Sequence, residues 1–287
     1  MNKKKRWTPL FKALTALLGF IVFLFLWWLV SYLLEINENF GVVNPWKTIS
    51  RLGVLLFTSE SKGTYLGIGW SLARLLIGLV TAFMAALILA PIAGLFPYFK
   101  SFMQPVVTIL KTLPTVAVVI ILTAFFFGPS YKLSAPYIPS ILGFLVMFPL
   151  IYESLVTGFN SFDSEIMDAL KLEGAVRKLL TIREIYFPAS FSYLALALAQ
   201  SFGLGLKVII MAEVLVGSSV IDYGLGKEIS LARDIMDLPS LYAYSILAVL
   251  LIFLIDLILN LVTTSIRQEI DGGAPLKFWI FPSFKKN

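Results

Sequence analysis

The chain has 287 residues, of which 59% are hydrophobic and only 14% are charged, and its formal net charge is +6. A soluble domain is closer to about half apolar and about a quarter charged, so this composition predicts a membrane protein. The chain contains neither cysteine nor histidine. Disulfides, zinc–thiolate sites and Ser-His catalytic triads are therefore excluded, and an enzyme is an unfavourable hypothesis.

Six segments are apolar enough to cross a bilayer, which takes about 20 apolar residues. They cover residues 10–34, 65–96, 102–127, 136–159, 190–216 and 241–264. The first segment follows a basic cluster at 3–6 and is too long for the apolar core of a cleavable signal peptide, so we expect a retained signal-anchor helix. The sequence thus predicts an all-α membrane protein with about six transmembrane helices.

Two segments between these spans have a different character. Residues 44–56 place apolar side chains at helical spacing opposite Lys47 and Arg51, which is typical of an amphipathic helix at the membrane interface. Residues 218–239 are rich in charge and are predicted to form a water-exposed loop. We therefore divide the chain into an N-terminal part with the anchor and interfacial helices (1–64), a transmembrane core (65–264) and a cytoplasmic tail of unassigned role (265–287).

The basic residues predict the orientation of the chain, because basic loops stay in the cytoplasm. With six spans, both termini lie on one side of the membrane. Of the 23 Lys and Arg residues, fourteen fall on the side of the termini and six on the other side, with three inside spans. Both termini are therefore expected to be cytoplasmic.

The cytoplasmic segment 160–188, between the fourth and fifth spans, is too long for a simple connector. Ser161 or Asp163 can cap a first amphipathic helix, and Gly174 can end it. A second short helix, 176–185, stops before Pro188. The pattern predicts two short helices joined at a glycine.

This segment resembles the "EAA" loop of bacterial ABC importer permeases. The matching residues are Asp168-Ala169-Leu170, Gly174-Ala175 after three further positions, and Phe187-Pro188. Asp, Leu and Phe replace the Glu, Ala and Leu of the family pattern. The resemblance implies a coupling helix that docks in a groove of the ATPase subunit, with a sharp turn at the glycine. The residues implied to form this ATPase-coupling loop are Asp168, Ala169, Leu172, Glu173, Gly174 and Ala175.

Further motifs are similar to the nitrate/sulfonate/taurine branch of these permeases, and the likeness extends over roughly residues 50–265. They lie at 70–78, 111–117, 212–217 and 224–226. The resemblance implies a type I ABC importer permease fold in the bacterial inner membrane. It also implies a second permease copy, cytoplasmic ABC ATPase subunits and an extracytoplasmic solute-binding protein. The implied solute is a sulfonate-, taurine- or nitrate-like anion or a heterocyclic vitamin precursor.

ATP hydrolysis is expected in a separate subunit, because the chain has no Walker-type Gly-x-x-x-x-Gly-Lys motif. We expect no cofactor, no metal and no nucleic-acid partner. The alternative function is a stand-alone secondary transporter or channel, which would use a relay of intramembrane charges and need no coupling segment.

Charged residues inside spans are costly and therefore mark candidate functional sites. The candidates for the translocation path are Arg74, Lys111, Lys207 and Glu213. Bracing is the favoured role of Arg74, and Glu213 either lines the path or has a structural role. Lys207 either meets an anionic solute or pairs with a carboxylate of another helix, but it does not share a helix face with Glu213. Asp256 is expected to bond to Asn260 or a neighbour.

Overall fold

The computed structural model describes residues 9–36, 41–126, 135–160, 168, 172, 174 and 186–271. The helices are α1 (Pro9–Ile36), α2 (Pro45–Phe57), α3 (Ser61–Leu95), α4 (Pro97–Thr112), α5 (Thr115–Phe126), α6 (Ile138–Phe159), α7 (Phe187–Val216), α8 (Leu225–Asp234) and α9 (Leu238–Asp271). A 3₁₀ turn, Ala135–Tyr137, precedes α6. The prediction of an all-α chain is confirmed.

Five of the described helices, α1, α3, α6, α7 and α9, are long and apolar enough to cross a membrane. The predicted span 102–127 is not one continuous helix, because α4 and α5 meet there at a bend of 94°. Leu113 is extended, with φ −60° and ψ 126°, since a following proline disfavours the helical conformation. The described residues contain six candidate spans if α4 and α5 together make one.

Helix α6 is the centre of the bundle and packs against both α3 and α7. Its side chains Ile151 and Leu155 are completely buried. The buried positions of α3 include a stripe of small residues, Ala82, Ala86, Ala90 and Ala93. Small residues let helix backbones approach closely, which favours packing where lipid is as apolar as the side chains.

Two glycines lie where α6 approaches its neighbours closely. A Cβ atom on Gly78 of α3 would lie 2.9 Å from the carbonyl oxygen of Ser140 on α6. A Cβ atom on Gly158 of α6 would lie 2.7 Å from the Cβ of Ser190 on α7. Any larger residue at either position would force two spans apart.

The predicted amphipathic helix at 44–56 is confirmed as α2. The Asn44 side chain accepts a hydrogen bond from the backbone N–H of Trp46 at 2.9 Å, and Pro45 fills the first turn. Near its C-terminal end, α1 is tied to the segment before α2, because Trp27 Nε1 donates to the carbonyl oxygen of Val43 at 3.1 Å.

The prediction of a water-exposed loop at 218–239 is wrong for the middle of that segment. Helix α8 packs against α3, α7 and α9, and it buries Leu225, Ser230 and Ala232. Of the charged residues that suggested a loop, Arg233 and Asp234 are exposed at the C-terminal end of α8. There, hydrogen bonds from Ser218 and then from Arg233 hold the pKa of the Asp234 carboxyl below its usual range.

Candidate functional site

A buried ion pair joins α3 to the end of α7. Arg74 Nη1 lies 2.5 Å from Glu213 Oε1, and the two side chains are only 8% and 0% exposed. The same nitrogen donates to the carbonyl oxygen of Tyr223 at 2.7 Å. The ring of Trp70 lies over the guanidinium group, 5.9 Å from its carbon to the ring centroid, and stacks on Tyr223. The charge of Arg74 is thus enclosed on several sides.

The second oxygen of Glu213 binds the start of α8. Glu213 Oε2 accepts hydrogen bonds from Ser71 Oγ at 2.7 Å and from the Gly226 N–H at 2.9 Å. Ser71 Oγ in turn accepts from the Leu225 N–H at 2.9 Å. Backbone N–H groups at a helix start have no partner within the helix. The network therefore satisfies two of them and ties α3, α7 and α8 together.

Glycines make room for this network. A Cβ on Gly224 would lie 2.8 Å from both Arg74 Nη1 and the carboxyl carbon of Glu213. A Cβ on Gly226 would overlap the carbonyl oxygen of Ile210. The Gly-Leu-Gly run at 224–226 is therefore a requirement of close approach to the ion pair.

The structure brings two of the predicted site residues together and leaves the other two apart from them. Arg74 and Glu213 bind each other, which fits bracing, and their role in a translocation path stays a prediction. Lys207 and Glu213 do not pair, as their helical spacing predicted, since Lys207 binds Asp256 instead. Of the two alternatives for Lys207, the structure shows the pair with a carboxylate of another helix, and the partner of Asp256 is this lysine on α7.

The Lys207–Asp256 pair lines a cleft of about 450 Å³ between α7 and α9. Lys207 Nζ lies 3.0 Å from Asp256 Oδ2, and the side chains are 49% and 37% exposed. The other polar side chains that line the cleft are Gln200, Asn260, Thr263 and Thr264. This is a polar concavity within two helices that are apolar enough to span a membrane.

Lys111 forms a comparable pair on the other side of α6. Its Nζ lies 2.7 Å from Glu153 Oε2, with both side chains about half exposed. Glu153 lines a second cleft, of about 490 Å³, between α4 and α6. Its further polar lining residues are Lys100, Gln104, Tyr152, Thr157 and Asn160.

Three residues of the predicted coupling loop are described. Asp168 and Leu172 are helical and exposed, and Leu172 is 90% exposed. Gly174 follows in a turn with φ +61°, a conformation that a side chain rarely adopts. Ala169, Glu173 and Ala175 lie outside the described residues, as do the two predicted helices as wholes. The sharp turn expected at the glycine is present.

Ser71 and Glu153 contribute to these polar contacts, but the sequence analysis did not identify them as site residues. Glu153 is the one charged residue in the predicted span 136–159, and that isolation alone could have marked it. Ser71 carries no such mark, because hydroxyl groups are common in spans. In the described parts of the chain, no three carboxylates lie close enough together to hold a metal ion.

The bundle of spans with charged clefts defines a multi-pass membrane transport protein. Residues 63–271 match the family described as "Binding-protein-dependent transport system inner membrane component", and the chain belongs to this family. It is therefore the permease component of an ABC importer, whose other parts in general are an ATPase and a binding protein. The permease is the non-enzymatic membrane component of such a transporter.

Comparison with solved structures supports the fold. A structure titled "Inward facing conformations of the MetNI methionine ABC transporter: CY5 native crystal form" matches with a TM-score of 0.52 and 13% sequence identity. The match covers 72% of this chain and 95% of that chain. The type I ABC importer permease fold is thereby confirmed. A comparison with curated protein sequences found no match.

Proposed function

We propose that two copies of this chain form the translocation path of an ATP-driven importer in the bacterial inner membrane. The excess of basic residues on the side of the termini supports cytoplasmic termini. Segment 160–188 then faces the ATPase subunits, and the solute reaches the opposite side on an extracytoplasmic binding protein. The motifs at 70–78, 111–117, 212–217 and 224–226 favour a small sulfonate-, taurine- or nitrate-like anion or a heterocyclic vitamin precursor.

An exposed turn between α6 and α7 is the main support for this proposal. Leu172 presents an apolar side chain that is 90% exposed, one helical turn after Asp168. An isolated helix face of this kind is what a hydrophobic groove on a partner binds. The left-handed turn at Gly174 follows Leu172 closely, so it sets the direction in which the chain leaves the groove.

The four intramembrane charges have two different roles in this proposal. Lys111 and Lys207 line the path, because their half-exposed pairs border open clefts. Arg74 and Glu213 hold α8 against the bundle from within. The solute contacts the surface of this bundle rather than the buried ion pair. Energy from ATP binding reaches the spans through segment 160–188.

Replacing Gly174 tests the coupling role of this segment. Valine is strongly disfavoured at φ +61°, so Gly174→Val should disturb the turn without touching the bundle, since no atom lies within 4 Å of an added Cβ. We expect the permease to keep its fold and lose the co-purifying ATPase subunit. The measurement is the amount of ATPase recovered with affinity-purified permease.

The matched control is Gly217→Val. Gly217 also has a positive φ, +93°, and an added Cβ meets nothing closer than 3.9 Å, but it follows the C-terminal end of α7, a 30-residue helix about 45 Å long, whereas segment 160–188 precedes that helix. This variant should retain the ATPase. Equal recovery of ATPase with both variants and the parent chain would contradict the coupling role.

A further inference from the structure

The Lys207–Asp256 pair is partly exposed although both residues lie within helices that are apolar enough to span a membrane. Charges that face lipid are costly, so the exposed atoms of this pair must face water or protein. The concavity that they border, about 450 Å³, is large enough for water and a small solute. The cleft is therefore a candidate for the solute path itself.

Polar residues repeat along the two helix faces that border the cleft. On α7, Gln200 precedes Lys207 by seven positions, which is two helical turns. On α9, Asn260 and Thr263 follow Asp256 by four and seven positions. These spacings place each set on one face of its helix, and all of these residues line the cleft. The charged pair is thus accompanied by further polar side chains along both helices.

The charge of this lining is balanced. Among the described residues that border the cleft, Lys207 and Asp256 are the charged ones, and they are 3.0 Å apart. Gly203 allows this approach, because a Cβ there would overlap Asp256 Oδ1. An anion that binds Lys207 would also meet the adjacent carboxylate, whose repulsion offsets the attraction. A cation that binds Asp256 would likewise be repelled by the adjacent ammonium group of Lys207.

A solute with both charges avoids this conflict. Its acidic group can bind Lys207 while its ammonium group binds Asp256, so one ion pair becomes two and no net charge enters the span. We propose that the cleft between α7 and α9 binds small zwitterions, which carry an ammonium group and a carboxylate or sulfonate group. This inference rests on the proposed function and narrows its solute class, favouring amino sulfonates and amino acids over nitrate.

The test uses the permease purified with its ATPase in phosphatidylglycerol nanodiscs, which contain no zwitterionic headgroup. Binding is measured by saturation-transfer NMR with four probes: β-alanine, taurine, methanesulfonate and ethylammonium. We expect the two zwitterions to bind at least about tenfold more tightly than the singly charged probes. Lys207→Gln and Asp256→Asn should each weaken zwitterion binding by at least about tenfold.

Two control variants separate binding from folding. Lys47→Gln removes a lysine of an exposed pair far from the cleft and should leave zwitterion binding unchanged. The charge swap K207D/D256K keeps an ion pair in place, so it should fold and still bind zwitterions in the reversed orientation. A folded swap variant that no longer binds them would contradict the proposal even if the single variants failed to fold.

Other results of these binding measurements would contradict the inference. Equal affinity for methanesulfonate and taurine, or unchanged zwitterion binding in both single variants, overturns the inference. Loss of soluble zwitterion binding in phosphatidylethanolamine nanodiscs assigns the cleft to a lipid headgroup and also overturns it. Failure of the parent chain to retain an ATPase contradicts the proposed function, whereas a stable complex that binds no zwitterion contradicts this inference alone.

Discussion

Glu213 can remain charged in the bundle interior because both of its oxygens have donors. Oε1 faces Arg74, and Oε2 accepts from Ser71 and from the N–H of Gly226. Burying an ion pair stabilises a fold only when the remaining hydrogen bonds are made, and here two of them come from helix α8 and α3. The pair therefore acts as a connection between elements that are distant in sequence.

Glu213→Gln should destabilise the permease strongly. It leaves Arg74 buried without its counter-charge, and breaking a buried pair in this way costs about 3–5 kcal/mol. We expect a lower melting temperature of the detergent-purified chain and a lower yield from the membrane. Glu35→Gln removes one partner of an exposed pair with Lys47 and should change stability by less than about 1 kcal/mol. Similar losses in both variants would mean that the Glu213 network does not brace the bundle.

The sequence identifies the charged residues within the spans but does not identify their partners. Arg74, Lys111, Lys207 and Glu213 stand out because charge is rare in apolar segments. Their pairing depends on which spans are neighbours, and Arg74 and Glu213 are 139 positions apart. One signal was available, since Arg74 and Glu213 lie toward the same end of two antiparallel spans. Opposite charges at equal depth are natural partners.

Helices α4 and α5 differ most from what hydropathy indicates. Residues 102–127 are mostly apolar and contain a single charged residue, Lys111, so a window of membrane thickness treats them as one span. Pro114 breaks that window, because the residue before a proline avoids the helical conformation. Hydropathy measures whether a segment is apolar enough to lie in lipid. It does not detect a right-angled bend within that segment.

Spin labels can test this bend directly, because the chain has no cysteine of its own. Phe102 and Phe125 are both exposed, and both can be replaced by cysteine and labelled. A straight helix would separate their Cα atoms by about 35 Å, whereas two legs at a right angle give about 24 Å. We expect pulsed electron paramagnetic resonance to give the shorter distance between the two labels. Diluting the labelled chain with unlabelled chain removes distances between copies, and a single peak near the longer value would contradict the bend.

Helix α8 was missed for a related reason. Residues 218–239 contain six charged side chains, and that density is typical of a loop. The charged residues are distributed around α8, with Lys227 and Glu228 only 17% and 15% exposed, and the buried positions between them are Leu225, Gly226, Ser230 and Ala232. Three of these four buried residues are small or polar, so they carry little apolar signal. The burial comes from the glycines that admit the ion pair and from the spans on which α8 packs.

For the whole molecule, composition and the order of the motifs were sufficient to predict a helical membrane permease. The apolar windows correspond to five described spans and the α4–α5 pair, and the family match at 63–271 agrees with the motifs. The clefts could not be predicted in this way. Each is bordered by two spans, so its shape and charge balance depend on helix packing that the order of residues does not state.

Site-directed cross-linking can show whether segment 160–188 contacts the ATPase subunit. Single cysteines replace Leu172 in that segment and Ile235 after α8, two exposed apolar residues on opposite sides of the predicted topology. The complex is treated with a photoactivated cross-linker attached to each cysteine. We predict that Leu172→Cys links the permease to the ATPase subunit and that Ile235→Cys does not. The contradicting result is an ATPase that links to Ile235→Cys, or to neither variant, while the complex remains assembled.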